Sequence, residues 1–410
     1  MSTHTTHTTP TTPSNHVLIV GAGFAGGMAA VRLAGRSRGR VRITVVNPRP
    51  TFVNRLRLHQ VATGRRVSAP GILRMLGSDV TFVEGWVTAL DADAGRATVS
   101  GPDGSRTIGF DRVVLATGST TEPVPVPGGE HAHGVADLES AERLRHAFAR
   151  LPAGADVTVV GGGFTGLETV GELAGSRPDL MVRLVTSGEV GGWFGTKAAD
   201  HVRASLRRLG VEALGGARVQ ALERDRLTLD DGAEVPSDLT VWCGGFAAPP
   251  LARESGLAVD RAGAVLTDDA LQSVSHPQVL AVGDTGHTVA PHGGRYSMSC
   301  QFAFPSGAHA ADVLSAEALG TAPHGGAAPL DLGFQGRCVS IGGQAAVLQL
   351  TDRDDVATDR ALTGRGAVAA KRFQVRGVVS AIGFARRAPG AIRWPGSGRT
   401  PSPVQASVAG

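Results

Sequence analysis

Two glycine fingerprints constrain this chain more than any other feature. Val17-Leu18-Ile19-Val20 runs into Gly21-Ala22-Gly23-Phe24-Ala25-Gly26, and Val157-Thr158-Val159-Val160 runs into Gly161-Gly162-Gly163-Phe164-Thr165-Gly166. In each, an aliphatic strand turns sharply into a helix with an Ala/Leu/Val pattern. The first glycine permits the tight turn, the second lets backbone approach a pyrophosphate, and the third lets helix and strand pack closely. The diphosphate then rests on free N–H groups at a helix N-terminus, where the helix dipole favours negative charge. With 57 glycines in 410 residues, one such run can arise by chance. Two copies, each in the strand–turn–helix setting, imply two dinucleotides on one polypeptide, and the simplest purpose is to bring a flavin and a nicotinamide together.

The expected class is therefore α/β, with two Rossmann-like dinucleotide-binding domains, one for FAD and one for NAD(P)H, plus a small C-terminal module. The length allows two or three domains and a core that needs no staples. The expected limits are a disordered leader at 1–15, an FAD-binding domain from 16–120 and 265–320, an NAD(P)H-binding domain at 121–264, and the C-terminal module at 330–400. The leader is Thr/His/Pro-rich and has neither the charged start nor the apolar run of a secretory signal.

Composition narrows the classes further. No run of about 18 apolar residues occurs, so no membrane span is expected. The three cysteines, Cys243, Cys300 and Cys338, contain no closely spaced pair. That fits a reduced cytoplasmic setting and excludes a dithiol built from neighbouring cysteines. From Ala361 to Gly410 there are eight basic residues and no acidic ones. Such a tail attracts phosphate groups, yet no nucleic-acid-binding motif accompanies it, so a nucleic-acid partner is not expected. No metal site is expected.

The strand at residues 40–46 ends at Asn47, where this fold normally carries an acid that grips the adenosine ribose. Asn47 can accept and donate hydrogen bonds there but lacks charge. The strand at Met181–Val185 is followed by Thr186-Ser187-Gly188, with neither an acid for a ribose diol nor an arginine for a 2′-phosphate, so NADH and NADPH both stay open.

With these residues in hand, the chain resembles the two-dinucleotide-binding flavoproteins of the pyridine nucleotide-disulfide oxidoreductase type, lacking the redox disulfide. It is most similar to the type II NADH:quinone dehydrogenases. The likeness spans Val17 to Leu319 and rests on the two fingerprints, Gln-Val-Ala-Thr-Gly at 60–64, Val-Leu-Ala-Thr-Gly at 114–118 and Ala-Val-Gly-Asp at 281–284. It implies an FAD site drawing on Gly21, Gly23, Phe24, Ala25, Gly26, Asn47, Arg55, Val87, Ala116, Thr117, Gly118, Gly283, Asp284 and Gln301. It implies an NAD(P)H site at Gly161, Gly163, Phe164 and Gly166. Glu168 matches the acid of the family's GxGxxGxE pattern, near the meeting point of nicotinamide and flavin. Three residues are candidate proton handlers: Glu168, which needs a raised pKa for that task, His59 and Gln301.

The match has departures. The family's AQxAxQ quinone motif falls on Cys300-Gln301-Phe302-Ala303-Phe304-Pro305, which keeps Gln301 and Ala303 and puts Pro305 in place of the second glutamine. The family's membrane-anchoring C-terminal helices have no clear counterpart, because Gly377, Gly383, Pro389 and Gly390 interrupt the basic segment Lys371–Trp394. That segment suits peripheral contact at the inner membrane face, or a soluble cap with a homodimer contact. The expected function is hydride transfer from NAD(P)H through FAD to a small quinone-like acceptor. The alternatives are a soluble tailoring oxidoreductase for an aromatic secondary metabolite, a ferredoxin reductase docking through the basic tail, and a redox-sensing binding protein.

Overall fold

The aliphatic runs before the fingerprints become the central strands of two parallel sheets, because near-continuous Val/Ile/Leu suits a strand covered on both faces. The computed structural model describes residues 15–290, 293–322 and 327–398. The expected leader lies outside them apart from Asn15, which opens the first strand.

In the first sheet, Asn15–Val20 lies between Val41–Asn47 and Arg112–Leu115, with Thr81–Glu84 and Val279–Ala281 at the edges, all parallel. One face carries Val17 and Ile19, which pack under the helices Phe24–Arg36 and Cys300–Leu319 through Met28, Leu33, Phe302 and Leu314. The opposite face carries Leu18, Val20, Val113 and Leu115. It is covered by the antiparallel sheet Trp86–Asp91, Arg96–Gly101 and Gly104–Gly109, through Leu90, Ala97 and Val99.

The second sheet repeats the plan. Asp156–Val160 lies between Met181–Thr186 and Leu239–Trp242, with Glu212–Gly215 and Ala132–His133 outside them. Helices Leu138–Ala149, Phe164–Ser176 and Thr196–Arg208 cover one face through Leu144, Leu167, Val170 and Val202. A small antiparallel sheet (Val219–Leu222, Arg226–Leu229 and Glu234–Pro236) covers the other through Leu222, Leu227 and Val235.

The strands Thr81–Glu84 and Trp86–Asp91 are separated by Gly85 alone. A Cβ there would lie 2.7 Å from Val99 Cγ1 and 2.8 Å from the Ser100 carbonyl oxygen, so only glycine lets the chain leave the parallel sheet and enter the antiparallel one.

The C-terminal module comprises the antiparallel strands Gly336–Ile341, Ala345–Thr351 and Ala357–Thr363, followed by one helix, Gly364–Arg387. Gly377 and Gly383 do not break this helix, contrary to the interrupted segment expected from sequence. A glycine in a helix interior costs about 1 kcal/mol. Burial of Val378, Ile382 and Ala385 against the first domain outweighs that cost. Val339, Ile341 and Val347 of the strands join the core of the second domain instead. Among the described residues, no helix is long and apolar enough to cross a membrane.

Candidate active site

Among the described helices, Leu138–Ala149 alone has a side-chain N-cap. Helix Leu138–Ala149 is capped by Asp137, whose carboxylate accepts from the Ser140 N–H at 2.7 Å. Helices Phe24–Arg36 and Phe164–Ser176 start at Gly23 and Gly163, which offer no side-chain cap. Their first-turn N–H groups are left for an anion. A Cβ on either Gly23 or Gly163 would meet no heavy atom within 4 Å, so both face open space. The flanking glycines are hemmed in. Gly21 and Gly161 adopt φ of 102° and 118°. A Cβ on Gly26 would lie 1.9 Å from the Gly21 carbonyl oxygen, and one on Gly166 would lie 1.8 Å from that of Gly161. Each loop therefore has an open middle and tight ends, the shape a pyrophosphate requires.

From the first loop a cavity of about 780 Å³ runs between the sheet ends. It is lined by Gly21, Gly23, Phe24, Ala25, Asn47, Arg55, Val87, Ala116, Thr117, Gly118, Gly283 and Asp284, all expected from sequence. Gly26 lies behind the wall and acts through packing. Cys300, Ala303 and Thr165 also line the cavity, the last brought from the second fingerprint. The length, the phosphate cradle and the polar far end suit a flavin dinucleotide.

The polar groups of that far end are tied together. Arg55 Nη2 donates to Ser119 Oγ at 3.2 Å, and Ser119 Oγ donates to Asp284 Oδ2 at 2.7 Å. Burial pulls the Arg55 guanidinium below its ordinary pKa, and Asp284 and Asp137 act the other way. The Gly118 N–H donates to Thr285 Oγ1 at 2.9 Å, which fixes the Ala-Thr-Gly turn against the Gly-Asp turn. Asn47 lines the cavity, but its side chain serves the backbone. Its Oδ1 accepts from the Ala22 N–H at 2.9 Å and its Nδ2 donates to the Arg49 carbonyl at 2.9 Å. The residue expected at the ribose thus braces the phosphate loop.

Behind the cavity wall, at Leu58 and Cys300, sits a buried charged cluster. Lys371 Nζ lies 2.8 Å from Glu168 Oε1 and also donates to the Cys338 carbonyl at 2.9 Å. The Ser340 N–H and hydroxyl donate to Glu168 Oε1 at 2.9 and 3.1 Å. His59 Nδ1 stands 3.7 Å from Glu168 Oε2. Burial alone would push the Glu168 carboxyl up, but Lys371, His59 and Ser340 together hold it below its ordinary value. This corrects the sequence expectation of a raised pKa. The error has a physical source: the ammonium comes from a helix 203 positions further along the chain, and nothing local announces it. Burial lowers His59 more than Glu168 raises it, which favours the neutral ring, and its Nε2 is buried without a hydrogen-bond partner.

Gln301 is turned away from the cavity. Its Nε2 donates to the Gly336 carbonyl at 2.5 Å, so the expected flavin or acceptor contact is replaced by a tie to the C-terminal strand. Its neighbour Cys300 takes the place on the wall. Pro305 is buried inside helix Cys300–Leu319, where it offers no N–H to the preceding turn. All three cysteines are free. Burial raises each thiol, Cys243 to about 12 and Cys338 to about 11, which makes them poor thiolates. A disulfide mechanism through Cys243 and Cys300 has no support in this arrangement.

At the second fingerprint, Phe164 packs edge-on to Phe194 at 5.6 Å and tilted to Trp193 at 6.4 Å. The Arg337 guanidinium lies 5.9 Å from the Phe164 ring centre. Sequence reasoning singled out Phe164 but missed Trp193, Arg337, Ser340 and the pairing role of Lys371. The last two lie on the C-terminal module, and no spacing rule connects them to Glu168.

Comparison with known proteins agrees with this geometry. Residues 15–307 match the family model of the pyridine nucleotide-disulphide oxidoreductases. An NADH dehydrogenase-like protein of Mycobacterium tuberculosis is 32% identical over 318 residues, covering 72% of this chain and 78% of its own. A demethylphylloquinone reductase of Synechocystis is 27% identical over 288 residues, covering 65% of this chain and 71% of its own. The structure of NDH2 from Plasmodium falciparum in complex with NADH superposes with a TM-score of 0.73 at 14% identity, over 92% of this chain and 99% of that one, which shows a shared fold. The chain belongs to the pyridine nucleotide-disulphide oxidoreductase family and is an oxidoreductase that uses FAD together with NADH or NADPH.

Proposed function

We propose that the electron acceptor is a small quinone-like molecule, reduced at the expense of NAD(P)H. The carrying observation is the cluster of Glu168, Lys371 and His59 behind the cavity wall. A quinone takes up protons with its electrons, so it needs ionisable groups at hand, whereas a one-electron iron–sulfur acceptor needs none. The Synechocystis relative, a demethylphylloquinone reductase, supports the same reading.

FAD, when bound, supplies the two-electron couple that links donor to acceptor. The chain's own residues do the remainder. Residues 16–120 and 265–320 would form the FAD-binding domain. Gly21, Gly23 and Gly26 would shape its diphosphate cradle, and Asp284, held by Ser119, would fix the polar chain beyond it. Residues 121–264 would bind NAD(P)H, with Gly161, Gly163 and Gly166 as the second cradle and Phe164 beside it. Glu168 would act as an ionised carboxylate poised to accept and pass on a proton, with neutral His59 next to it.

Steady-state oxidation of NADH and NADPH tests this reading. Menadione turnover should exceed ferredoxin turnover by at least about tenfold, the factor that 1.4 kcal/mol of barrier represents. Faster ferredoxin reduction would point to the ferredoxin-reductase alternative, and bound FAD with negligible turnover on either acceptor to the tailoring oxidoreductase or the binding protein.

Peripheral membrane contact would use the outer face of helix Gly364–Arg387. Phe373 and Phe384 are 80% and 51% exposed there, alongside Arg372 and Arg376. Sedimentation with anionic vesicles should be lost in a Phe373→Ser/Phe384→Ser variant that keeps its flavin. Equal sedimentation of the two proteins would remove the membrane contact from the proposal.

A further inference from the structure

Reduction of a quinone by NADH leaves one proton to be found. NADH gives a hydride, which is two electrons and one proton. The hydroquinone product carries two electrons and two protons, so solvent must deliver the second proton. Glu168 and His59 are both buried, and neither is paired with an exposed side chain.

The helix Phe164–Ser176 carries a second carboxyl on the same face. Glu172 is four residues beyond Glu168, one turn and about 6 Å along the axis. It is buried, with 2% of its surface exposed. Arg65 Nε lies 2.5 Å from Glu172 Oε1, and the Arg65 side chain is 53% exposed. On the other side, the hairpin that packs against this helix presents Gly343 to the same carboxyl. A Cβ on Gly343 would lie 4.0 Å from Glu172 Oε2 and 3.8 Å from Arg65 Nη2, so the missing side chain leaves room beside the pair.

We infer that Glu172 and Arg65 form the entry of a proton path that leads from solvent, along one face of the helix Phe164–Ser176, to Glu168 and the acceptor. This rests on the quinone reading of the site. The two carboxyls have the opposed character a relay needs. Burial raises Glu172, with Glu168 adding to it, against Arg65 and Arg57, which lower it. Glu168 is instead held ionised by Lys371 and the Ser340 N–H. Glu172 thus binds a proton more readily than its neighbour and is paired with the half-exposed Arg65, while Glu168 is paired with the buried Lys371. Glu172 touches neither substrate nor cofactor; its role is to load and pass a proton.

The test uses the FAD-loaded full chain with NADH as donor. It compares menadione with ferricyanide, which accepts electrons without protons. In Glu172→Gln the menadione-to-ferricyanide rate ratio should fall about tenfold or more, in line with proton-transfer contributions. The solvent deuterium isotope effect on menadione turnover should grow, and Glu172→Asp should restore part of the ratio. Should Glu172→Gln fail to retain FAD, Arg65→Gln gives the second readout. Without the arginine, Glu172 holds its proton to higher pH, so the limb of the menadione pH profile that reports it should move upward. A wild-type chain inert toward menadione would overturn the acceptor reading and the path together. A menadione-active wild type whose variants keep the rate ratio, isotope effect and pH profile would overturn the path alone, and would leave the Glu172–Arg65 pair as a purely structural anchor.

Discussion

Replacing Lys371 with methionine should destabilise the protein by about 3–5 kcal/mol, the cost of leaving a buried charge without its partner. Glu168 would keep its Ser340 hydrogen bonds and the nearby His59, but not the ammonium at 2.8 Å. A Lys371→Met/Glu168→Gln double variant should recover most of the loss, because a neutral amide needs no counter-charge. Chemical denaturation of the four proteins of this cycle measures the coupling.

The pH dependence has a definite sign. Glu168 has a folded pKa below its ordinary 4.5, so its contribution is present above that value and is lost as pH falls through the folded pKa. Lys371 has a folded pKa above its ordinary 10.5, so its contribution is present below that value and is lost as pH rises through the folded pKa. The stability gap between wild type and Lys371→Met should therefore be widest between these limits and shrink outside them. A gap that stays flat into acid would show that the pair is not ionised in the fold.

Gly26→Ala should yield a protein that holds FAD weakly. The added methyl would lie 1.9 Å from the Gly21 carbonyl oxygen and 3.0 Å from Ala116 Cβ. Backbone cannot absorb such an overlap as a flexible side chain does, so the helix must lift from the strand and the cradle must open. Small-to-large changes in packed sites cost about 1–3 kcal/mol or more. If that strain falls on the loop, FAD affinity drops by about tenfold to a hundredfold. The purified variant should be colourless or nearly so, by visible absorbance. Gly166→Ala meets the Gly161 carbonyl oxygen at 1.8 Å and should separate the two sites. It should come out yellow, with normal FAD content, while bleaching of the flavin by NADH becomes slow and unsaturated. A yellow Gly26→Ala protein, or a Gly166→Ala protein bleached at the wild-type rate, would contradict the assignment of the two cradles.

The local parts of the site were readable from the chain. A strand, a turn and a helix within ten residues define each loop, and the third glycine in it answers a local steric demand, the carbonyl five residues before it. The Ala-Thr-Gly and Gly-Asp turns were legible for the same reason, since each ends a buried strand of the first sheet. Reading broke down where one residue depends on a distant one. Asn47 had the right position for a ribose contact, but only the folded loop shows its amide oxygen taken by Ala22. Gln301 matched a motif, yet the strand at Gly336 draws its amide away. Gly377 and Gly383 looked like helix breakers, because propensity is local and the burial of Val378 and Ile382 is not.

Sequence alone determined the two strand–turn–helix glycine loops and the class of chemistry, because the constraints on them act over a few neighbouring residues: a positive φ, an open middle glycine, a close approach of helix to turn. The tertiary structure alone decided the ionisation of Glu168. That depends on an ammonium delivered by the C-terminal helix into a site where water is excluded, and electrostatic free energy follows distance and burial rather than position along the chain.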